Sequence, residues 1–273
     1  MTKPIEQVLE IMRRLRDPQG GCPWDREQSL STLKPFVIEE CYELIDAIDS
    51  GDVEKHKEEL GDLLLQIVFQ VQLRQEAGQF GFDDICLTLA EKLIRRHPHV
   101  FADVTVTGSK DVLTKWEAIK AQEKKTGRRS VVEGVPRHLP ALMKAHQVQS
   151  RAARVGFDWT ALHDVVAKVD EELAEVKEAI LRGDRDDVAE EIGDLLFAVV
   201  NLSRFQKLQA EELLAGTVDK FARRFQAIEQ RVHAQGKTMT DCSLAELDAH
   251  WNEVKREEKA NHGSEIQRLL RDP

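Results

Sequence analysis

Four carboxylates follow one another in a fixed pattern in the second half of the chain. Glu172 and Glu175 lie three residues apart, and Glu191 and Asp194 repeat that spacing further along. Residues three apart lie on the same face of a helix, so each pair projects from a single face. Oxygen ligands without Cys or His suit hard cations, here Mg²⁺ with Mn²⁺ as a substitute. The pattern predicts a divalent-metal site.

The same four acids occur in the first half of the chain, as Glu40, Glu43, Glu59 and Asp62. Residues 39–66 align without a gap to residues 171–198, and 13 of the 28 aligned positions are identical. The similarity continues downstream, where EKLIRR corresponds to DKFARR and KWEAIKAQEK corresponds to HWNEVKREEK. The sequence therefore predicts a duplicated module of roughly 120 residues.

Clustered carboxylates have three ways to avoid the cost of burial and mutual repulsion. Basic residues can pair with them, they can remain on a wet helix edge, or a divalent cation can bind among them. A single Glu-x-x-Glu spacing is usually a solvated face. The agreement of every acid between the two copies, without a basic residue at matching positions in the apolar arc, favours the cation.

A turn separates the two acid-bearing segments in each module. Gly51-Asp52 and Gly183-Asp184 interrupt stretches rich in Ala, Leu and Glu, which favour helix. So short a connection makes the two helices antiparallel neighbours. On a projection of about 100° per residue, Glu40 and Glu172 lie at the edge of an apolar arc. Each module is predicted to aim four carboxylates toward the seam between its helices.

The whole chain of 273 residues is predicted to be all-α. VTVTG at 104–108 is the best candidate for a strand, but it is short enough to be a loop. The predicted organisation is two tandem helical-bundle modules, at 1–125 and 141–262, joined by a linker at 126–140 and followed by a tail at 263–273. Two glycines, two prolines and a basic cluster are typical of a linker.

Cations and tryptophans recur at corresponding places on the later helices of both modules. A Trp and a Lys four residues apart share a helical face in each copy. A buried Trp is more often simple core, whereas its repeated pairing with Lys favours contact with a base or a phosphate. The candidates for binding an anionic substrate are Lys92, Arg96, Trp116 and Lys120 in the first module, and Lys220, Arg224, Trp251 and Lys255 in the second.

The acid pattern resembles that of the MazG nucleoside triphosphate pyrophosphohydrolases. Glu-Glu-x-x-Glu is followed after fifteen residues by Glu-x-x-Asp in both copies. The resemblance also covers GCPWDREQS at 21–29, RAARVGFDW at 151–159 and both Trp/Lys helices. It extends over nearly the whole chain, including the tandem arrangement.

The resemblance implies Mg²⁺-dependent hydrolysis of NTPs or dNTPs to a nucleoside monophosphate and pyrophosphate, by cytoplasmic homodimers. Carried over by motif, Glu172, Glu175, Glu191 and Asp194 hold metal, while Lys220, Arg224, Trp251 and Lys255 hold nucleotide. Glu171 or Glu190, just outside the metal positions on the projection, is a candidate to orient or deprotonate the attacking water. The resemblance also implies that the C-terminal module carries most turnover.

The first module keeps every acid, so its sequence gives no evident reason for inactivity. His97-Pro98 is predicted to break the helix after Arg96, which could displace Lys92 and Arg96 from the acids. An alternative interpretation makes this module a non-catalytic nucleotide-binding or dimerisation scaffold. A carboxylate-bridged di-iron bundle is disfavoured, because no histidine has Glu three positions before it.

Composition excludes some other classes of protein. A net charge of −10 argues against an extended nucleic-acid groove, which needs a basic footprint. No apolar run approaches the ~18 residues of a membrane span. Four cysteines without a CxxC pair are typical of reduced thiols.

Overall fold

The chain is helical throughout the part that the structure describes. This computed structural model describes residues 3–109, 111–112, 115–116, 119 and 130–269, with side chains described up to residue 260. No strand occurs within those ranges, and residues 104–106 of VTVTG are irregular. The prediction of an all-α fold is confirmed. The chain divides into two compact units, residues 1–126 (the first unit) and 127–273 (the second unit).

The first unit is built on a helical hairpin, α3 and α4. Helix α1 and helix α5 both pack against α4. The helices of this unit are α1 (Pro4–Leu15), α2 (Pro23–Glu27), α3 (Lys34–Ser50), α4 (Val53–Glu76), α5 (Phe82–Arg96) and α6 (Pro98–Phe101).

The second unit repeats that plan, with the hairpin formed by α8 and α9. Helix α7 packs against α9 and α10, and α10 packs against α11. The helices are α7 (Ala141–Ala153), α8 (Leu162–Arg182), α9 (Arg185–Phe205), α10 (Ala210–Ala234), a 3₁₀ turn (Met239–Asp241) and α11 (Leu244–Leu269).

A Gly-Asp dipeptide makes the turn in each of the two hairpins. Gly51 ends α3 and Gly183 ends α8, with φ of 69° and 76°, a left-handed conformation that glycine adopts without strain. The next residue caps the following helix: Asp52 Oδ1 accepts from the Glu54 and Lys55 amides, and Asp184 Oδ1 accepts from the Asp186 and Asp187 amides. The predicted antiparallel helix pair is thus set locally by Gly-Asp.

One of the predicted metal ligands, Glu172, lies on a helix face that packs inward. On α8, Val165, Val176 and Ala179 are buried, and Glu172 is buried among them with 6% of its surface exposed. The sequence predicted Glu172 at the edge of the apolar face. The edge position was wrong because Ala179, which lies on the opposite side of Glu172 from Val165 and Val176 around the helix, is buried as well and extends the buried face past Glu172.

The predicted helix break at His97-Pro98 is confirmed. Helix α5 ends at Arg96 with His97 as its C-cap, and α6 begins at Pro98. The corresponding helix of the second unit, α10, continues unbroken to Ala234.

The finer domain boundaries remain predictions. Part of the predicted linker, residues 126–129, lies outside the described residues, and 130–140 form turns and irregular structure. Helix α11 runs to Leu269, past the predicted end of the second module at 262. Within the described ranges, no helix is both long enough and apolar enough to cross a membrane.

Candidate functional site

Each hairpin brings three of its predicted metal ligands together. One carboxylate oxygen from each of Glu172, Glu175 and Glu191 lies within 4.8 Å of the others, and Glu40, Glu43 and Glu59 form the same cluster in the first unit. A cation about 2.1 Å from each oxygen requires the oxygens to be no more than ~4.2 Å apart, so the oxygens would approach one another by up to ~0.6 Å when a cation binds. The donor set is all oxygen and therefore fits Mg²⁺ or Mn²⁺.

The fourth acid of each set lies beside the cluster rather than within it. Asp194 is exposed and lines a cavity together with Glu172, and Asp62 is half-buried. Both acids act on their clusters electrostatically. Asp194 contributes to raising the pKa of Glu191, and Asp62 contributes to raising that of Glu40.

The electrostatics show an excess of negative charge in both clusters. Burial, together with the neighbouring acids, raises the pKa values of Glu40 and Glu59 in the first unit. In the second unit, burial and then a hydrogen bond with Glu172 raise the pKa of Glu175, and burial with the charge of Asp187 raises that of Glu191. A divalent cation would relieve this repulsion.

A lysine that sequence reasoning missed lies against the second cluster. Lys168 Nζ is 2.7 Å from Glu171 Oε1 and 2.8 Å from Glu172 Oε1. These hydrogen bonds raise the pKa of Lys168. The i,i+4 spacing of Lys168 and Glu172 was visible in the sequence, but the comparison of the two copies hid it, because the matching residue of the first copy is Phe36.

The candidate catalytic acids lie on the rim of the second cluster. Glu171 is exposed and bound by Lys168, and Glu190 is exposed immediately before Glu191 on α9. Both are open to water, as a group that orients or deprotonates a water molecule must be.

One of the predicted nucleotide-binding cations, an arginine, makes the same contact in both units. The guanidinium carbon of Arg224 lies 5.6 Å from the centre of the Trp251 ring, and Arg96 lies 5.6 Å from that of Trp116. Arg224 also pairs with Glu258 of α11 at 2.7 Å. Of the remaining candidates, Lys220 is exposed, Lys92 and Lys255 are half-buried, and Lys120 lies outside the described residues. The same cation–π contact occurs in both units, so the internal repeat of the sequence is also a repeat of the structure.

The ring of Trp251 is packed against other side chains of the protein and is not a free surface on which a base could stack. Its ring packs with the buried residues Ile228, Val232 and Val254 and lies 5.2 Å from the ring of Phe221. The contact with Arg224 makes Trp251 a support for that cation.

A cavity of about 510 Å³ opens beside the second cluster. Its lining comes from α7, the loop at 156–159, α8 and α9. It includes the charged residues Lys168, Glu172, Asp194 and Arg204 and the amides Gln149 and Asn201. Sequence reasoning missed it, although one signal was present. Ala198 lines the cavity, and the matching residue of the first copy is the much larger Gln66.

Comparison with known families agrees with this geometry. A family model described as the MazG nucleotide pyrophosphohydrolase domain matches residues 28–101 and 161–228, which contain both hairpins and all eight predicted metal ligands. The chain belongs to the MazG family. The resemblance drawn from the sequence is confirmed, and with it the prediction that the chain is an enzyme of this class.

Relatives that carry the pyrophosphohydrolase name are similar to most of this chain. The nucleoside triphosphate pyrophosphohydrolase of Escherichia coli K12 is 48% identical over 259 residues, covering 93% of this chain and 98% of the relative. The nucleoside triphosphate pyrophosphohydrolase/pyrophosphatase MazG of Thermotoga maritima is 45% identical over 251 residues, or 92% and 95% of the two chains. The Mycobacterium tuberculosis nucleoside triphosphate pyrophosphohydrolase is 41% identical over 166 residues, or 60% of this chain and 50% of the relative.

Proposed function

We propose that the protein hydrolyses nucleoside and deoxynucleoside triphosphates between the α and β phosphates, with Mg²⁺ as the metal. The products are a nucleoside monophosphate and pyrophosphate, which suits a role in cleansing or controlling nucleotide pools. The observation that carries the proposal is the carboxylate cluster of Glu172, Glu175 and Glu191, whose oxygens lie within 4.8 Å of one another in a chain of the MazG family.

Each side chain has a role in this reaction. Glu172, Glu175 and Glu191 would hold the cation, with the adjacent Asp194 as its proposed fourth ligand. A cation bound there would supply positive charge beside the phosphates and lower the pKa of a water molecule. Lys220, Arg224 and Lys255 stabilise negative charge on the triphosphate. Trp251 holds the guanidinium of Arg224 against its ring and so positions that cation. Glu171 or Glu190 orients or deprotonates the attacking water.

The first module carries the corresponding acids, cations and tryptophan, and we propose that it contributes a smaller share of the turnover. Glu40, Glu43, Glu59 and Asp62 are its metal ligands, and Lys92, Arg96, Trp116 and Lys120 are its nucleotide ligands. Three features set it apart. Phe36 replaces Lys168, buried Gln66 replaces Ala198, and buried Phe69 replaces Asn201.

These replacements also favour the second candidate function, a non-catalytic nucleotide-binding or dimerisation scaffold in the first module. Gln66 Nε2 lies 3.5 Å from Glu40 Oε1, so a neutral amide occupies the neighbourhood of the acid. The scaffold would bind nucleotide with metal and release no product.

We propose further that the protein is a homodimer, and that it works in the cytoplasm as the family resemblance implies. Apolar side chains are exposed along α10 at positions 214, 218, 221 and 225, which form one helical stripe, here called the α10 stripe. Contiguous exposed apolar surface of this kind marks an interaction site.

Product analysis of dGTP and dTTP with Mg²⁺ tests the reaction. We expect wild type to form monophosphate and pyrophosphate, Glu172→Ala to lose most of the rate, and Glu40→Ala to keep most of it. Glu178→Ala, an exposed acid on the same helix as Glu172, is the matched control and should behave as wild type.

Diphosphate with orthophosphate as products, or no product with any triphosphate, would contradict the proposed reaction. Loss of the rate in Glu40→Ala alone would reverse the assignment of the working module.

A further inference from the structure

Arg224, the arginine to which the proposed function gives a contact with the triphosphate, is held by two side chains of α11. The carbon of its guanidinium group lies 5.6 Å from the centre of the Trp251 ring. Its Nε donates to Oε2 of Glu258 at 2.7 Å, and its Nη2 lies 2.7 Å from the same oxygen. The proposed function assigns no part to Glu258.

These two contacts leave one nitrogen of the guanidinium group to bind a ligand. Trp251 covers a face of the group, and Glu258 occupies the edge formed by Nε and Nη2. Among the described residues, nothing accepts a hydrogen bond from Nη1 of Arg224. An arginine that is already oriented loses less side-chain entropy when it binds a phosphate. The arrangement therefore prepares Arg224 for an anionic ligand.

Glu258 is a charged and supported partner for this arginine. The hydrogen bond from Arg224 is the main cause that lowers the pKa of Glu258, so the carboxylate is ionised at neutral pH. Its other oxygen, Oε1, lies 3.4 Å from Nε of Arg223. Hydrogen bonds between two charged groups are stronger than those between neutral groups. Glu258 thus restricts the guanidinium of Arg224 more firmly than a neutral side chain would.

The internal repeat separates Glu258 from the other acids that join α11 to α10. Glu253 and Glu257 both pair with Arg231 of α10. When KWEAIKAQEK is aligned with HWNEVKREEK, neither Glu253 nor Glu257 has an acid at its position in the first copy. Glu258 corresponds to Glu123, which lies outside the described residues. The acid that holds the arginine is therefore kept together with the arginine and the tryptophan, whereas the acids that only connect the two helices are not.

We propose that Glu258 is a positioning residue, which holds the guanidinium group of Arg224 in the orientation that binds the triphosphate. The proposal rests on the proposed function, because that function gives Arg224 its contact with the phosphates. A carboxylate repels an anionic substrate, so the charge of Glu258 alone would weaken substrate binding. Positioning has the opposite sign, since loss of Glu258 then weakens binding.

Glu258→Ala tests this sign with dGTP and Mg²⁺. We expect KM to rise about tenfold and kcat to stay within about threefold, because the contact of Arg224 is present both before and during the reaction. The Kd of the α,β-imido analogue of dGTP, which is not cleaved between those phosphates, should rise by the same factor in calorimetry. Glu258→Gln keeps an acceptor oxygen for Arg224 and should hold KM within about threefold of wild type.

Two further variants separate positioning from a purely structural role. Glu257→Ala is the matched control, because Glu257 also joins α11 to an arginine of α10. It should lower the melting temperature about as much as Glu258→Ala does and keep the wild-type KM. In an Arg224→Met background, Glu258→Ala should leave KM unchanged, because no guanidinium is left to orient. Glu258→Asp, which withdraws the carboxylate by one methylene, replaces Glu258→Ala if that variant does not fold.

The outcomes separate the two proposals. A KM for Glu258→Ala at or below that of wild type would overturn the positioning role, and so would an equal rise of KM in Glu257→Ala. A rise that persists in the Arg224→Met background would show that Glu258 does not act through Arg224. All three results leave the proposed reaction in place. Failure of wild type to form pyrophosphate from any triphosphate would remove the proposed function itself.

Discussion

Lys168 is the single cation that touches the second carboxylate cluster in the described structure. It holds Glu171 and buried Glu172 at once and so takes part of the place that a metal ion would fill. Such a contact stabilises the protein without metal and competes with metal binding for the same oxygens.

We therefore expect Lys168→Met to destabilise the metal-free protein by about 1–2 kcal/mol. A fully buried pair would cost ~3–5 kcal/mol, but Lys168 is 36% exposed and water screens part of the loss. Mg²⁺ should restore more stability to the variant than to wild type, since Glu172 then gains a new partner. Thermal unfolding with and without Mg²⁺ measures both effects.

Lys177→Met, an exposed lysine on the same helix, is the control for that experiment. A Lys168→Met protein as stable as wild type without metal would show that the contact contributes nothing to the fold.

At the scale of elements, α11 begins with a charged cap. Glu246 Oε2 accepts from the Ser243 amide at 2.8 Å, and Glu246 also pairs with Lys237. These contacts, the Ser243 hydrogen bonds first, lower the pKa of Glu246 to about 2. The cap fixes the start of the helix that carries Trp251 and Lys255.

Glu246→Gln should lower the melting temperature at neutral pH, because a neutral amide makes weaker bonds to Ser243 and Lys237. The folded-state pKa is depressed, so the stabilisation is complete above the unfolded value near 4.5 and is lost as pH falls toward 2. The difference between variant and wild type should shrink over that window in thermal scans. A difference that stays constant with pH would mean that the charge of Glu246 plays no part.

Local sequence determined the elements better than it determined their contacts. The hairpins follow from Gly-Asp, whose left-handed φ and capping carboxylate act within a few residues, and the three-residue spacing brings the acid pairs together. The burial of Glu172 and the cavity could not be predicted in this way. Both depend on how α7 packs against α9 and on which part of the α8 apolar face stays exposed, which are properties of tertiary packing.

Comparison of the two copies of the module predicted the functional residues that the copies share and missed the residues at which they differ. It identified the acids and the Arg–Trp contacts, which recur in both units. It concealed Lys168 and Ala198, because their counterparts are Phe36 and Gln66. Those differences carry the asymmetry of function that we propose.

At the scale of the whole molecule, the α10 stripe is an exposed apolar surface for which we propose a binding partner. Val218 is 57% exposed in its centre, with Leu214 and Phe221 one turn to either side. A second copy of the chain is the occupant that we propose, and a charge placed there would have to be desolvated on association.

Val218→Glu is therefore expected to weaken homodimer formation by at least about tenfold in Kd, or 1.4 kcal/mol. Sedimentation over a range of concentrations measures the shift toward monomer. Thr217→Glu introduces the same charge one position off the stripe and should leave association unchanged. A dimer as tight in Val218→Glu as in wild type would move the interface elsewhere.

The filling of the first unit by Gln66 and Phe69 has a consequence for the history of the chain. Once a gene segment is duplicated, selection for turnover needs to preserve an open space in only one copy. The other copy is then free to accept larger side chains that improve its packing. The first unit keeps its acids and its Arg96–Trp116 contact, but large buried side chains stand at positions 66 and 69. On the division of labour that we propose, the first copy has exchanged turnover for packing, and sequences closer to the duplication should carry small residues at positions 66 and 69.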